Sequence, residues 1–312
     1  MKIFITGATG YIGRVVTERA RAARHAVRGL SRNEEGDARL RALGAIPVRG
    51  ELTSHDVLRR ESAEADAVLH LAFIHDWSMD YKEVLRIEGE AVDAMGPSLR
   101  GTGKPLVITS GTAVVAPDPA GGETKEDSPL SDTFVLRHRI ESERRSLRLS
   151  GDGVRVSAIR LPPYVYGRGG SYFAPMLMQA AAKLGESIYV DDGKIRTSDV
   201  HVDDAADLYL LVASKAKAGE VFNGTGSTSV TLRALAESIG DALHVPVRSV
   251  SHAEAEEKWG EFLTTFVQFE NRASNRKAVQ QLGWQPKGVD LLIDIRTGSY
   301  RELAANLRQG VA

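Results

Sequence analysis

The sequence predicts an α/β protein, a doubly wound parallel sheet followed by a smaller, mainly helical C-terminal part. Three observations carry this expectation. Short apolar runs alternate with segments of helical period up to residue 160. A glycine-rich turn joins the first apolar run to the first helical segment. Beyond residue 160 the alternation gives way to a Gly- and Pro-rich stretch at 162–170 and then to helices. Strands that alternate with helices imply right-handed crossovers and parallel pairing.

The elements follow in order. "KIFIT" (2–6) reads as a buried strand, and 11–23 as a helix with Ile12, Val15, Val16, Ala20 and Ala23 on one face. "AVRGL" (26–30), "AIPV" (45–48), "DAVLHLA" (66–72), "PLVITS" (105–110) and "VRVSAIR" (154–160) are further strands. Helices are expected at 34–43, 81–100 and 134–149, then at 171–184 and from 231 onward. "VHVDDAADLYLL" (200–211) and "VFNGT" (221–225) read as returns to the sheet. The expected organisation is a dinucleotide-binding unit over 1–160 and a substrate-binding part over 161–312, with 195–225 returning to the sheet.

Composition narrows the function. The chain has 312 residues, 42% of them hydrophobic, which is enough for a sizeable core. Its net charge is −1, with no global field for nucleic acid or an anionic membrane. The six arginines between Arg14 and Arg32 alternate with apolar residues and read as a solvated helix face. There is no cysteine, so thiolate chemistry and disulfides are excluded. No apolar run approaches the ~18 residues of a membrane span. A strand starting at Lys2 leaves no room for a signal peptide, so a soluble cytoplasmic protein with a small-molecule substrate is expected.

"TGATGYIG" (6–13) lies between the first strand and the first helix. Gly7 permits a tight turn, Gly10 lets backbone approach a pyrophosphate, and Gly13 permits close helix packing. The helix N-terminus offers free N–H groups to phosphate. In this strand–turn–helix setting the pattern points to a Rossmann-type dinucleotide site built from Gly7, Thr9, Gly10, Tyr11, Ile12 and Gly13. Ser31 and Arg32 stand at the end of the second strand, where an acidic residue would favour NAD. An arginine there suits a 2′-phosphate, so NADP(H) is expected, with NAD(H) as the alternative.

With "GEL" (50–52), "HLAF" (70–73), "VITSGTAVV" (107–115), "RLPPYVYGRGG" (160–170), "VHVDD" (200–204), "FNGTGSTSVTLRALAESIG" (222–240) and "LGWQP" (282–286), the chain resembles extended short-chain dehydrogenases/reductases, the NAD-dependent epimerase/dehydratase family. The resemblance covers nearly the whole chain. It implies that Glu51 and Leu52 flank the adenine, that Leu71, Ala72 and Phe73 line the dinucleotide, and that Pro162 to Val165 approach the nicotinamide.

The same resemblance exposes a gap. The family's helix over 134–149 starts with Tyr-x-x-x-Lys, in which tyrosine is the acid or base and lysine lowers its pKa. Here "TFVLRHRIE" (133–141) has neither residue. Phe134 and His138 take the two places in one register, Thr133 and Arg137 in another. The family's serine aligns with Gly111, which leaves Ser110 and Thr112 adjacent. Thr112, His138 and Arg137 are therefore the candidate catalytic residues: His138 as proton donor, Arg137 as ribose or oxyanion holder, Thr112 as orienter. Tyr81, Tyr164 and Tyr166 are other phenols near the expected site. Asp203 and Asp204 form a carboxylate pair that in the family mainly packs near the cleft. Trp259, Phe262, Phe266 and Phe269 recur at helical spacing, as core or pocket wall. His70, His75 and Asp76 lack metal-ligand spacing, and no metal is expected.

The expected function is an NADP(H)-dependent oxidoreductase acting on a small carbonyl, alcohol or related group. A dinucleotide sensor without turnover and a nucleotide-sugar epimerase or dehydratase are the alternatives. Because helix 134–149 is strongly charged, a monomer is favoured over a dimer built on 81–100 and 134–149.

Overall fold

Residues Lys2–Thr6 form β1, with Ile3 and Ile5 pointing to one side and Phe4 to the other, all buried. Two buried faces require helices on both, which is the condition for a parallel sheet. The computed structural model describes residues 1–75, 78–131 and 139–310. The strands of the large sheet are β1, β2 (Ala26–Ser31), β3 (Ile46–Arg49), β4 (Ala67–His70), β5 (Pro105–Gly111), β6 (Arg155–Leu161) and, after the three strands named below, β10 (Val221–Asn223). Its order is β10-β6-β5-β4-β1-β2-β3, every pair parallel.

Between these strands lie α1 (Tyr11–Ala22), α2 (Glu34–Ala42), α3 (His55–Glu64), α4 (Tyr81–Met95) and α5 (Arg139–Arg148). Ile3, Ile5, Leu69 and Val107 pack with Val15 and Val16 of α1 on one face. Phe4, Val68, Leu106 and Ile108 pack with Leu58 of α3 and Ala91 and Val92 of α4 on the other.

The rest of the chain builds a second core. Strands β7 (Tyr164–Tyr166), β9 (Arg196–His201) and β11 (Ser227–Thr231) form a three-stranded sheet, and β8 (Ser187–Val190) pairs with β12 (Val247–Val250). Helices α6 (Phe173–Leu184), α8 (Leu232–Leu243), α9 (His252–Trp259), α10 (Glu261–Val267), α11 (Leu291–Thr297) and α12 (Arg301–Arg308) surround them. Tyr164, Leu177, Leu235, Phe266, Leu291 and Tyr300 share this core.

Segment 195–225 divides between the two bodies. Strand β9 stays in the small sheet, while α7 (Val202–Lys215) covers the large sheet beside α1, and β10 joins its edge. Residues 202–211, read as a return to the sheet, do lie against it, as a helix. The switch falls at His201, whose Nδ1 accepts the Asp203 amide at 3.2 Å and caps α7. The aromatic spacing over 259–269 is likewise interrupted, because Gly260 at φ +81° separates α9 from α10. Expected helix 81–100 ends as α4 at Met95 and continues as a short 3₁₀ turn, Gly96–Leu99, with Pro97 at its start. Among the described residues no helix is long and apolar enough to cross a membrane.

Candidate functional site

The site starts where β1 turns into α1. Gly7 has φ +72°, and a Cβ on it would lie 2.7 Å from the Ala72 nitrogen. A Cβ on Gly13 would lie 2.0 Å from the Gly7 carbonyl oxygen. Both positions exclude any side chain, so β1, the turn and α1 approach one another closely. Gly10 caps α1 without a side-chain hydrogen bond, and no acidic residue stands in the first turn. The first-turn amides are thus uncapped by any side chain, an arrangement that suits a pyrophosphate. Thr9 is partly buried beside the loop, and Ile12 packs against the main core.

Beneath the loop, Thr6 Oγ1 bonds His70 Nδ1 at 2.7 Å and accepts the Ala72 amide at 3.3 Å. This ties the end of β4, and with it Leu71 and Ala72, to the loop. Burial pushes the His70 imidazole down to about 4, and the nearby Arg139 charge adds to that, so the ring is neutral. Its Nε2 finds no hydrogen-bond partner among the described residues.

At the end of β2, Ser31 is buried and donates to the Asn33 carbonyl at 3.0 Å. Asn33 caps α2 through Gly36. Arg49 at the end of β3 is held by Asp37 at 2.6 Å. Arg32 is exposed, and its guanidinium has no ion pair among the described residues. Glu51 is exposed and accepts from Thr53 Oγ1, whereas Leu52 is buried under the same edge.

Gly111 ends β5 with φ −128° and ψ 145°, a conformation open to any residue. A Cβ there would meet only the Leu161 carbonyl oxygen, at 3.8 Å. Neither space nor strain thus demands glycine at this position. Ser110 Oγ is buried with no hydrogen-bond partner among the described residues. Thr112 is 1% exposed and donates to Asn271 Oδ1 at 2.8 Å. Its hydroxyl joins β5 to the C-terminal part instead of opening onto the cleft. His138 and Arg137 lie outside the described residues, as do Thr133, Phe134 and Asp76.

Arg139, the first residue of α5, is the group that sequence reasoning missed. Its guanidinium lies 4.1 Å from the Phe73 ring centroid and donates to the Thr109 carbonyl at 3.0 Å and to Glu88 at 3.3 Å. Phe73 also meets His75 at 5.1 Å and Tyr81 at 6.4 Å, both edge-on. Seven charged side chains crowd residues 137–148, and nothing in that run singles out those that turn inward, Arg139 and Glu143, the latter paired with buried Arg160 at 2.6 Å.

The far wall is β7 and the loop after it. Pro162 is buried and Val165 half-buried. Tyr164 is buried between Phe173 and Phe266, and Tyr166 donates to the Val289 carbonyl at 2.5 Å. Burial raises both phenols far out of a working range. The loop 167–170 locks onto the dinucleotide half. Tyr11 donates to the Gly167 carbonyl at 2.8 Å, and Arg168 pairs with Glu18 at 2.7 Å and with Asp203 at 2.5 Å. Asp204 accepts the Lys287 and Gly288 amides, and its carbonyl accepts Trp284 Nε1. The carboxylate pair thus serves packing, and "LGWQP" supplies the buried Trp284 that it holds. No group of three metal-ligating side chains converges among the described residues.

Residues 3–223 match the NAD dependent epimerase/dehydratase family. The chain belongs to that family. A nicotinamide dinucleotide is its cofactor, and the bare glycine cradle fits one. The full-length fold is shared with a dTDP-glucose 4,6-dehydratase from Streptomyces venezuelae solved with NAD bound, at 19% identity, TM-score 0.78 and 100% coverage of both chains. An uncharacterized protein of Schizosaccharomyces pombe is 38% identical over 300 residues, 96% of this chain and 100% of its own. A Stigmatella aurantiaca protein is 28% identical over 237 residues, 75% of this chain and 70% of its own. It is named as a ketoreductase of a farnesyl-bearing dihydroquinoline N-oxide.

Proposed function

We propose that the protein is an NADP(H)-dependent reductase of a small carbonyl compound. The observation that carries this reading is the contrast within one site. The dinucleotide cradle is complete and Arg32, with no ion pair among the described residues, stands beside it, while the Tyr-x-x-x-Lys sequence is absent and Gly111 stands where the resemblance puts the serine. Epimerisation and dehydration lean on that phenol to move protons to and from carbon-bound hydroxyls. Hydride transfer leans mainly on orientation of the cofactor, and the similarity to a ketoreductase agrees with it.

When bound, the reduced nicotinamide supplies the hydride. Gly7, Gly10 and the first turn of α1 hold the pyrophosphate, with Thr9, Tyr11, Ile12 and Gly13 shaping the turn. Arg32 would hold the 2′-phosphate, while Ser31, buried and bonded to the Asn33 carbonyl, shapes the turn beneath it. Glu51 and Leu52 border the adenine. Leu71, Ala72 and Phe73 line one side of the dinucleotide, Pro162 and Val165 the other. His138 and Arg137 remain candidates for the proton and the ribose. Thr112 contributes through the seam it closes with Asn271.

A sensor that binds NADP(H) without turnover is the second reading, favoured by Gly111 and the absent phenol. Incubation with NADPH and a panel of ketones and aldehydes decides between them. Loss of NADPH absorbance with at least one carbonyl is the expected result. Calorimetric binding without turnover on any substrate class overturns the reductase reading.

A further inference from the structure

Left-handed backbone dominates residues 167–171. Gly167 stands at φ +108° and Gly169 at +67°, and two residues with side chains join them, Arg168 at +54° and Ser171 at +128°. Outside glycine such angles are strained, and they persist only where neighbours over-determine them. Here the neighbours come from both bodies of the fold. On the dinucleotide side, Tyr11 donates its hydroxyl to the Gly167 carbonyl at 2.8 Å. The Arg168 guanidinium forks onto Glu18 of α1 at 2.7 and 3.0 Å and onto Asp203 of α7 at 2.5 and 3.1 Å. On the C-terminal side, the Gly167 amide donates to the Tyr300 hydroxyl at 3.1 Å, and that hydroxyl donates to the Gly170 carbonyl at 2.5 Å. The Gly169 amide donates to Ser299 Oγ at 2.8 Å, and Ser299 is fixed in turn by Asp294 at 2.8 Å.

The loop leaves β7, the far wall of the cleft, and crosses to the start of α1. Tyr11 is the first residue of α1, so its amide belongs to the first turn that no side chain caps. Gly170 lies against its ring, and a Cβ there would stand 2.4 Å from the Tyr11 Cε2. The loop is thus fastened to a residue of the cradle itself.

We propose that loop 167–170 is a clasp on the bound dinucleotide, held shut by Arg168 and Ser299 as positioning residues, joined to the cradle through Tyr11, and opened when the cofactor leaves. Backbone strain favours the open form, and the bonds to both bodies favour the closed one. A pyrophosphate that orders the first turn of α1 orders Tyr11 with it and shifts the balance towards closure. The clasp rests on the dinucleotide cradle and not on carbonyl turnover.

Two variants and one protease test it. Arg168→Gly removes the fork and keeps φ +54° accessible, so the loop is freed without new strain. Ser299→Ala cuts the far anchor at a residue outside the cradle. Each should speed NADPH release, followed by stopped-flow fluorescence, by about fivefold or more. Arg168→Lys keeps the charge without the fork and should fall between Arg168→Gly and the parent. The Arg168–Gly169 bond is also a site for trypsin. NADPH should slow that cut by at least about fivefold relative to the cut after Lys194, whose side chain is 83% exposed. Variants that melt earlier yet release NADPH at the parent rate show a loop that is only structural and overturn the clasp, as does a cut ratio that ignores NADPH. A protein that binds NADPH and reduces no carbonyl loses the reductase reading and leaves these outcomes as they stand. If NADH binds more tightly, the NADP(H) preference falls and NADH takes NADPH's place in both measurements. If neither dinucleotide binds, the clasp falls with the cradle.

Discussion

Thr112 donates its hydroxyl to Asn271 Oδ1 at 2.8 Å, joining the end of β5 to the C-terminal part. Asn271 is itself fixed, since its amide donates to the Arg196 carbonyl at 3.0 Å and its carbonyl accepts Ser198 Oγ at 2.9 Å. The bond is buried, so losing one partner strands the other. Thr112→Val should therefore lower unfolding stability by about 1–3 kcal/mol, read by urea denaturation. NADPH affinity measured on the folded variant should stay at the parent value. An unchanged denaturation midpoint would show that the hydroxyl does no structural work.

Cofactor choice should rest on Arg32. Arg49, the other arginine at this edge, is engaged by Asp37 at 2.6 Å. A charge-assisted contact to a 2′-phosphate is worth about 1.5–3 kcal/mol. Arg32→Ala should then weaken NADPH binding by about tenfold or more and leave NADH binding alone. Calorimetry that finds the preference intact in the variant rules the assignment out.

His70 and Asp199 should tilt stability with pH in opposite directions, leaving a net fall above pH 6.5. His70 is held at about 4 against 6.5 when free. The unfolded chain binds the extra proton, so stability drops as pH falls through 6.5 towards 4, by roughly 3 kcal/mol at most. Asp199 is 3% exposed, and burial, with Asp290 nearby, pushes it up to about 8 against 3.8. Here the folded chain holds the extra proton, so its contribution is complete below 3.8 and is lost as pH rises towards 8. Between 3.8 and 6.5 the two slopes oppose each other, and above 6.5 only Asp199 acts. Asp199→Asn should flatten the decline between pH 6.5 and 8 and unmask a fall in stability from pH 6.5 towards 4, whereas His70→Asn should leave stability rising as pH falls through that acid window. Thermal melts across pH 4–9 read both.

A monomer is expected in solution. Outward positions of α4 and α5 carry ion pairs: Arg86 with Glu83 and Glu90, each at 2.6 Å, and Arg145 with Asp93. The apolar residues Val84, Ile87, Ala91, Val92 and Met95 are already buried. No second apolar face remains on α4 for a four-helix seam. A dimer that persists on dilution in light scattering would contradict this.

Local pattern sufficed for the strands and the cradle. β1 has the bounds read from "KIFIT", and the other main strands are displaced by at most two residues at either end. The register of β1 is set by Ile3 and Ile5 facing one way and Phe4 the other, a period-2 property of the chain itself. Gly7 and Gly13 were legible because only glycine survives a positive φ or a 2.0 Å approach. The absence of Tyr-x-x-x-Lys is also a property of sequence alone.

Segment 202–211 shows where pattern stopped. Its apolar residues suit either a strand or a helix, and the His201 cap together with packing beside α1 decided for helix. Thr112 and Arg139 show the same limit at the level of side chains. Both are polar residues beside the cleft, and nothing local distinguishes a hydroxyl that faces substrate from one that faces Asn271. The difference lies in a partner 159 residues away for Thr112 and 30 away for Arg139. The sequence by itself determined the layered fold, the dinucleotide cradle and the missing phenol, because backbone conformation and alternation are short-range. Which polar groups stand together in the cleft was decided only by tertiary structure, because hydrogen bonds and ion pairs are made by whatever the fold brings within about 3 Å.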